Sequence, residues 1–367
     1  MQASDLVIDG ASSAAGVTLL DADTAVFGLP LLATGSSHTA SIDQGAIANV
    51  QQTGIDAYSR VFTIASDSQY AIKYTPYLQL GNAPLTGFAG SETDRVELLW
   101  QTVPEGSGTQ NQFEVDYRLA NSGTWTSVSN ISQVDLGADQ RVNHWAEITG
   151  LSYDTQYEYR LRHLSGSVTL ASYQDTFRTR LPADDASDFS FVAYGDSAYI
   201  ASNGGFRQVR SRINQLGPDF ALLLGDNAYQ DGAIGEFDAR FDPTLSPEAA
   251  AWTANHIDYL SIGNHDIIAN AGAASELNYA VPIPVAGVNA PAAPPSSERL
   301  EHNYSFDYGD VHFVTFDSNS LNNATRLNKQ LLYVEADLAA SSAKWKIVFT
   351  HRPVAEVPNN FTQTNNY

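Results

Sequence analysis

The feature that most constrains this chain is a run of short apolar segments, each feeding directly into a polar residue. Phe189–Tyr194 leads to Gly195-Asp196, and Phe220–Leu224 to Gly225-Asp226-Asn227-Ala228-Tyr229. Asp258–Ile262 leads to Gly263-Asn264-His265-Asp266, and Lys346–Thr350 to His351. Apolar runs of this length read as strands buried on both faces. Between them lie helical patterns, over Gly205–Leu216 with Phe206, Val209 and Ile213 inward, and over Asn328–Ala340 with Leu331, Leu332, Val334, Glu335 and Leu338 inward. Tyr304–Asp317 alternates like a hairpin around Tyr308-Gly309-Asp310. Alternation of buried strands and helices predicts a layered α/β domain over 186–367. In such sheets ligands bind beyond the carboxyl ends of the strands. Four strands thus bring Asp196, Asp226, Asn264 and His351 to one sheet edge, and three of these follow a Gly that permits a sharp turn.

Upstream, the pattern has period 2. Phe113–Arg118 and Tyr157–Arg162 alternate apolar with charged residues, Val96–Trp100 reads as a strand with Trp100 in the core, and Thr169–Arg178 supplies a last strand. Leu151-Ser152-Tyr153-Asp154-Thr155-Gln156-Tyr157 resembles a tyrosine-corner turn. The segment 71–180 therefore resembles a fibronectin type III-like β-sandwich, joined to the α/β domain by the polar linker Leu181–Asp185. Residues 1–70, rich in Ala, Ser, Thr, Gly and Asp, read as a β-rich or irregular leader of unknown role.

Composition narrows the chemistry. The chain has no cysteine among its 367 residues, which removes disulfides, thiolate ligands and thiol nucleophiles. A formal net charge of −22 disfavours nucleic acid, although a local metal site reverses such a field for a small phosphorylated ligand. No apolar run is long enough for a membrane-spanning helix. Met1–Asp9 carries no Lys or Arg, and the first basic residue is Arg60, so no standard secretory signal is expected. Either export takes another route, or the sequence is an interior piece of a longer protein.

Gly-Asp, then Gly-Asp-x-x-Tyr, then Gly-Asn-His-Asp, then Val-x-x-His, in this order, resembles the calcineurin-like metallophosphoesterases, and Tyr229 marks their purple acid phosphatase branch. Tyr304–Phe313 is similar to that family's hairpin, and the resemblance spans about residues 71–355, because the family often carries a fibronectin-like domain ahead of the catalytic one. It implies a layered α/β metallophosphoesterase sandwich preceded by an antiparallel β-sandwich. It also implies a dinuclear centre, Fe(III) plus a divalent Fe, Zn or Mn ion. Asp226 would bridge, Asp196 and Tyr229 would hold the first metal, and Asn264 and His351 the second. His265 would contact the phosphoryl group or the leaving oxygen. The implied reaction is phosphomonoester hydrolysis of the acid phosphatase kind by a metal-bound hydroxide, with Asp226 and His265 as the catalytic residues. The alternatives are a phosphodiesterase of the same fold and a non-catalytic adhesive or binding module with a degenerate site. Extracellular or periplasmic placement follows from the resemblance.

Two departures stand out. The third position of the first motif is Ala198, where other branches place a histidine ligand and this branch a Gly. The family's closing Gly-His-x-His segment is missing, since no His follows His351, so the expectation is a chain incomplete at its C-terminus and of low activity. His163 and His312 are expected to be structural, Asp231, Asp238 and Asp242 to be solvated loop residues, and the Pro/Ala-rich stretch 269–299 to wall the pocket.

Overall fold

The structure is a computed structural model, and it describes residues 2–14, 16–19, 25–29, 32, 37–47, 54–63, 70–81, 93–104, 112–136, 141–199, 204–282, 302–319 and 323–353. The chain divides into two compact units. One comprises Met1–Ala71, Pro104–Phe113 and Arg162–Ser172; the other comprises Ile72–Val103, Glu114–Leu161 and Tyr173–Tyr367. In the first, Val7–Ile8, Ser12–Ser13, Ser37–Ile42 and Tyr58–Thr63 form an antiparallel sheet over Leu6, Ile8 and Ala14. The Asp9 carboxylate anchors it by accepting from the Thr39 N–H at 2.7 Å and pairing with His38 Nδ1 at 2.7 Å.

The β-rich middle of the chain consists of two four-stranded sheets. One orders Thr126–Ser127, Gln112–Leu119, Gln156–Ser165 and Val168–Arg178; the other orders Ile131–Asp135, Val142–Leu151, Asp94–Pro104 and Tyr70–Gln79. Period-2 alternation does its expected work: Tyr157, Tyr159 and Leu161 are buried while Glu158, Arg160 and Arg162 are not, and Trp100 is buried. The corner turn is present as an N–H donated by Ser152 to Tyr157 Oη at 3.0 Å. The charged face is not simply solvated. Trp125 lies between the guanidinium groups of Arg118 and Arg160, 4.3 and 4.6 Å from its ring centre, and each arginine is paired, with Glu158 and Asp116 respectively.

In the α/β domain, β1 (Phe191–Tyr194), β2 (Phe220–Leu224) and β3 (Asp258–Ser261) form a parallel sheet in that order. A second sheet orders β4 (Tyr304–Tyr308), β5 (Val311–Thr315) and β6 (Trp345–Phe349), with β4–β5 antiparallel and β5–β6 parallel. Aromatic side chains fill the core to which both sheets contribute. Tyr259 stacks on Phe306 at 3.8 Å, Phe306 on Phe313 at 4.9 Å, and Phe220 meets Phe313 edge-on at 5.5 Å. The α1 (Gly204–Leu216), α2 (Pro247–Thr253) and α3 (Ala324–Ala340) helices complete the layers.

Both long helices differ from the faces expected of them. In α1 the buried residues are Phe206, Arg210 and Ile213, while Val209 is exposed. Arg210 turns inward because Asp258 at the start of β3 needs a cation; the two form a buried ion pair, and Trp252 Nε1 donates to the same carboxylate at 2.8 Å. In α3 the buried residues are Gln330, Tyr333, Val334 and Asp337, while Leu331 and Leu332 are exposed at 44% and 49%. Asp337 sets that face by accepting from Ser305 Oγ at 2.9 Å and pairing with His312 Nε2 at 2.7 Å. The helix also begins earlier than its apolar residues suggest, because the Asn323 side chain caps it through the Arg326 N–H. Asp238 and Asp242 are not solvated either. They are buried and paired with Arg141 and Lys73 at 2.6 Å each, whereas Asp231 is exposed. The expected pocket wall over 269–299 lies outside the described residues from 283 onward, as does the tail from 354.

Candidate metal centre

The four polar residues after the strands do converge. Ligand-competent atoms of Asp196, Asp226 and His351 all lie within 4.8 Å of one another. The turns that deliver them are strained. Asp196 and Asp226 adopt φ of 50° and 52°, sparsely populated for non-glycine residues and frequent at functional sites. Two glycines are obligatory. Gly225 has φ 81° and the His351 ring lies where its Cβ would sit, and a Cβ on Gly263 would overlap the Asp226 backbone and carboxylate.

Asp226 forms the floor, 4% exposed, with its two oxygens facing different neighbours. Oδ2 accepts from Tyr229 Oη at 3.0 Å; Oδ1 accepts from the His265 N–H at 2.9 Å and lies 3.4 Å from His351 Nε2. Tyr229 Oη also lies 3.2 Å from Asp196 Oδ1. Burial, and then the two carboxylates, push the Tyr229 phenol well above its ordinary pKa, so without a cation it stays protonated and donates to one of them.

Hydrogen-bond polarity fixes the histidines. His351 Nδ1 lies 2.9 Å from the Leu224 carbonyl, which can only accept, so Nδ1 carries the hydrogen. In the neutral ring the Nε2 lone pair therefore points into the site, 3.1 Å from Asn264 Oδ1. Arg352 Nη2 donates to that same Asn264 Oδ1 at 3.1 Å. Lone pairs of nitrogen and oxygen thus face each other, an arrangement that an imidazolium or a shared cation relieves. By the same reasoning His265 Nδ1 donates to the Gln230 carbonyl, leaving Nε2 turned toward Asp226 Oδ2 at 4.0 Å. The donor set of carboxylates, phenol, amide oxygen and imidazole fits hard or borderline metal ions.

Three supporting residues carried no assignment in the sequence. Asp266 is fully buried and ties the two central loops together, accepting from the N–H groups of Asn227 (2.7 Å), Ala228 (3.0 Å) and Gly263 (2.8 Å). Burial holds its carboxyl above its ordinary pKa in spite of those donors. Its place in Gly-Asn-His-Asp was the available signal. Buried Arg240 binds the Asn227 carbonyl and, at 2.7 Å, Ser197 Oγ, so one cation braces the loops bearing Asp196 and Asp226. Glu236 gathers the N–H groups of Gln230, Asp231, Gly232 and Ala233, shaping the loop after Tyr229. No local pattern announces Arg240, whose partners lie 13 and 43 residues away in sequence, whereas the partners of Glu236 lie three to six residues before it.

A three-stranded parallel sheet whose strand ends present acceptors around one point is an arrangement suited to holding a cation. Residues 85–180 match the family described as "Purple acid Phosphatase, N-terminal domain", and residues 189–366 match "Calcineurin-like phosphoesterase". The chain is a purple acid phosphatase-type member of the calcineurin-like metallophosphoesterases, with that family's N-terminal domain. The family implies a dinuclear metal centre. A purple acid phosphatase structure from yellow lupin (Lupinus luteus) seeds is 17% identical with a TM-score of 0.56; the match covers 88% of this chain and 57% of that one, and shows the shared fold. Matches to astrotactin-2, described as vertebrate-specific (14% identity, TM-score 0.24, 39% of this chain and 25% of that one), and to Rst D1-D2 (8%, 0.22, 49% and 86%) are too distant to inform the fold. No curated protein sequence matches the chain. Among the described residues, no helix is long and apolar enough to cross a membrane.

Proposed function

We propose that this chain hydrolyses phosphomonoesters with a pair of metal ions, Fe(III) and a divalent Fe, Zn or Mn ion, held at the strand ends of the α/β domain. The observation that carries the reading is the meeting of Asp196, Asp226 and His351 within 4.8 Å, with acceptor atoms facing acceptor atoms. Asp196 and Tyr229 would hold the first ion, Asn264 and His351 the second, and Asp226 both; its oxygens already face the two halves separately. When bound, the metal pair supplies positive charge to the phosphoryl oxygens and acidifies the attacking water.

The chain's own groups do the rest. His265 keeps its Nδ1–H on the Gln230 carbonyl, so Nε2 is the atom that holds a proton for the leaving oxygen. Asp266 and Arg240 keep the loops in register, so that the donors need not reorganise around each substrate. We read 1–70 as a leader, 71–180 as a fibronectin-like sandwich and 186–367 as the catalytic domain, and we place the protein outside the cytoplasm, as its acidity and family favour.

The test is to load the protein with Fe(III) and Zn(II), then to record visible absorption and turnover of p-nitrophenyl phosphate. A charge-transfer band that disappears in Tyr229→Phe, together with low but measurable turnover, is the expected result. A colourless, inactive protein at full metal occupancy would favour a binding module.

A further inference from the structure

We infer that Arg352 is a phosphate-binding residue that makes this site prefer phosphomonoester dianions to diesters. The inference rests on the phosphoesterase reading above and deepens it. Arg352 follows His351 directly, so the turn after β6 brings a metal-ligand candidate and a guanidinium to the same rim. Its backbone is fixed, because its N–H donates to the buried Ser318 Oγ at 2.9 Å. Its side chain is only half buried, and Nη2 reaches Asn264 Oδ1 at 3.1 Å. Among the described residues no other guanidinium nitrogen of Arg352 has a partner.

That contact is a weak use of a guanidinium. Arginine is always charged and presents its N–H groups as a planar fork matched to two oxygens of one phosphate. The amide oxygen offers a single, neutral acceptor, and a metal ion bound there would compete for the same lone pairs. The surroundings are anionic: Asp196 and Asp226 stand beside the same cluster, and the chain as a whole carries −22. A phosphate dianion approaching this edge therefore needs a local cation besides the metals. Arg240, which also reaches the site loops, is buried and committed to Asn227 and Ser197. Arg352 has donors to spare. A monoester offers three peripheral oxygens and two charges to the fork; a diester has one charge and one oxygen fewer.

The experiment compares the metal-loaded parent with Arg352→Gln and Arg352→Lys. Metal content, inorganic phosphate binding by calorimetry, and kcat/KM for p-nitrophenyl phosphate and bis(p-nitrophenyl) phosphate are measured for each. In Arg352→Gln, phosphate should bind about tenfold to a hundredfold more weakly, as for loss of a charge-assisted hydrogen bond. The monoester-to-diester ratio of kcat/KM should fall by about tenfold, metal content should hold, and Arg352→Lys should recover only part of the phosphate affinity. Unchanged phosphate affinity, an equal loss on both esters, or a loss of metal overturns the inference; the last would make Arg352 a support for Asn264. A parent that holds metals but binds no phosphate would sink the phosphatase reading itself, whereas normal binding in both parent and Arg352→Gln removes only the role of Arg352.

Discussion

The β-sandwich and the metal centre bury polar groups in opposite ways. In the sandwich, the carboxylates of Asp94 and Asp116 are buried and each meets a guanidinium, from Arg180 at 2.6 Å and Arg160 at 2.7 Å. At the end of the parallel sheet, Asp196, Asp226, Asn264 and His351 present acceptors to one another, and Tyr229 brings the one proton the carboxylates share. Matched donors and acceptors close a structure. Unmatched acceptors around one point hold a place for a cation, at a cost in the folded protein without metal. Acceptors gathered around one point, rather than burial or charge alone, set the candidate metal centre apart from the sandwich.

That contrast can be broken at its strongest point first. Asp226→Asn keeps the size of the floor residue but removes the charge that both halves face. Turnover and metal affinity should each fall by more than about a hundredfold, beyond what losing a supporting residue costs; isothermal titration with Zn(II) and phosphatase assay are the checks. Matched pairs should instead answer in stability. Arg180→Met leaves Asp94 buried and uncompensated, and chemical denaturation should show a loss of roughly 3–5 kcal/mol with metal affinity unchanged.

His312 sharpens the comparison through pH. Burial alone would lower its pKa, but hydrogen bonds from both ring nitrogens to Asp307 and Asp337 raise it to about 9. The folded value exceeds the ordinary 6.5, so the stability it contributes is fully present below pH 6.5 and is lost as pH rises through 9. The span is up to about 3 kcal/mol, and denaturation midpoints of His312→Gln should be flatter between those limits than those of the parent. The smallest effect is expected at the corner turn. Tyr157→Phe removes one acceptor for the Ser152 N–H and should cost about 1 kcal/mol, leaving turnover intact.

The convergence of the candidate residues was legible because strand, Gly and polar residue are neighbours in sequence. Gly225-Asp226 and Gly263-Asn264 carry both the turn and a candidate ligand, so local spacing was enough to expect their meeting. The helix faces were not legible. Counting apolar residues favoured Val209, Leu331 and Leu332, whereas Arg210 and Asp337 turn inward because Asp258 and His312, far away in the chain, need partners. Asp238 and Asp242 read as solvated for the same reason, since nothing nearby in sequence announces Arg141 and Lys73. Asp266 sat inside a motif, yet its role emerged only once three backbone N–H groups were seen to converge on it.

The most direct test of the central claim is elemental analysis of the parent and Asp226→Asn after equilibration with Fe(III) and Zn(II) and removal of free metal. The account predicts about two ions per parent chain, as a two-metal site requires, and a clear deficit in the variant. Equal metal content in the two proteins would contradict it, because the acceptors gathered around Asp226 would then not be a metal centre.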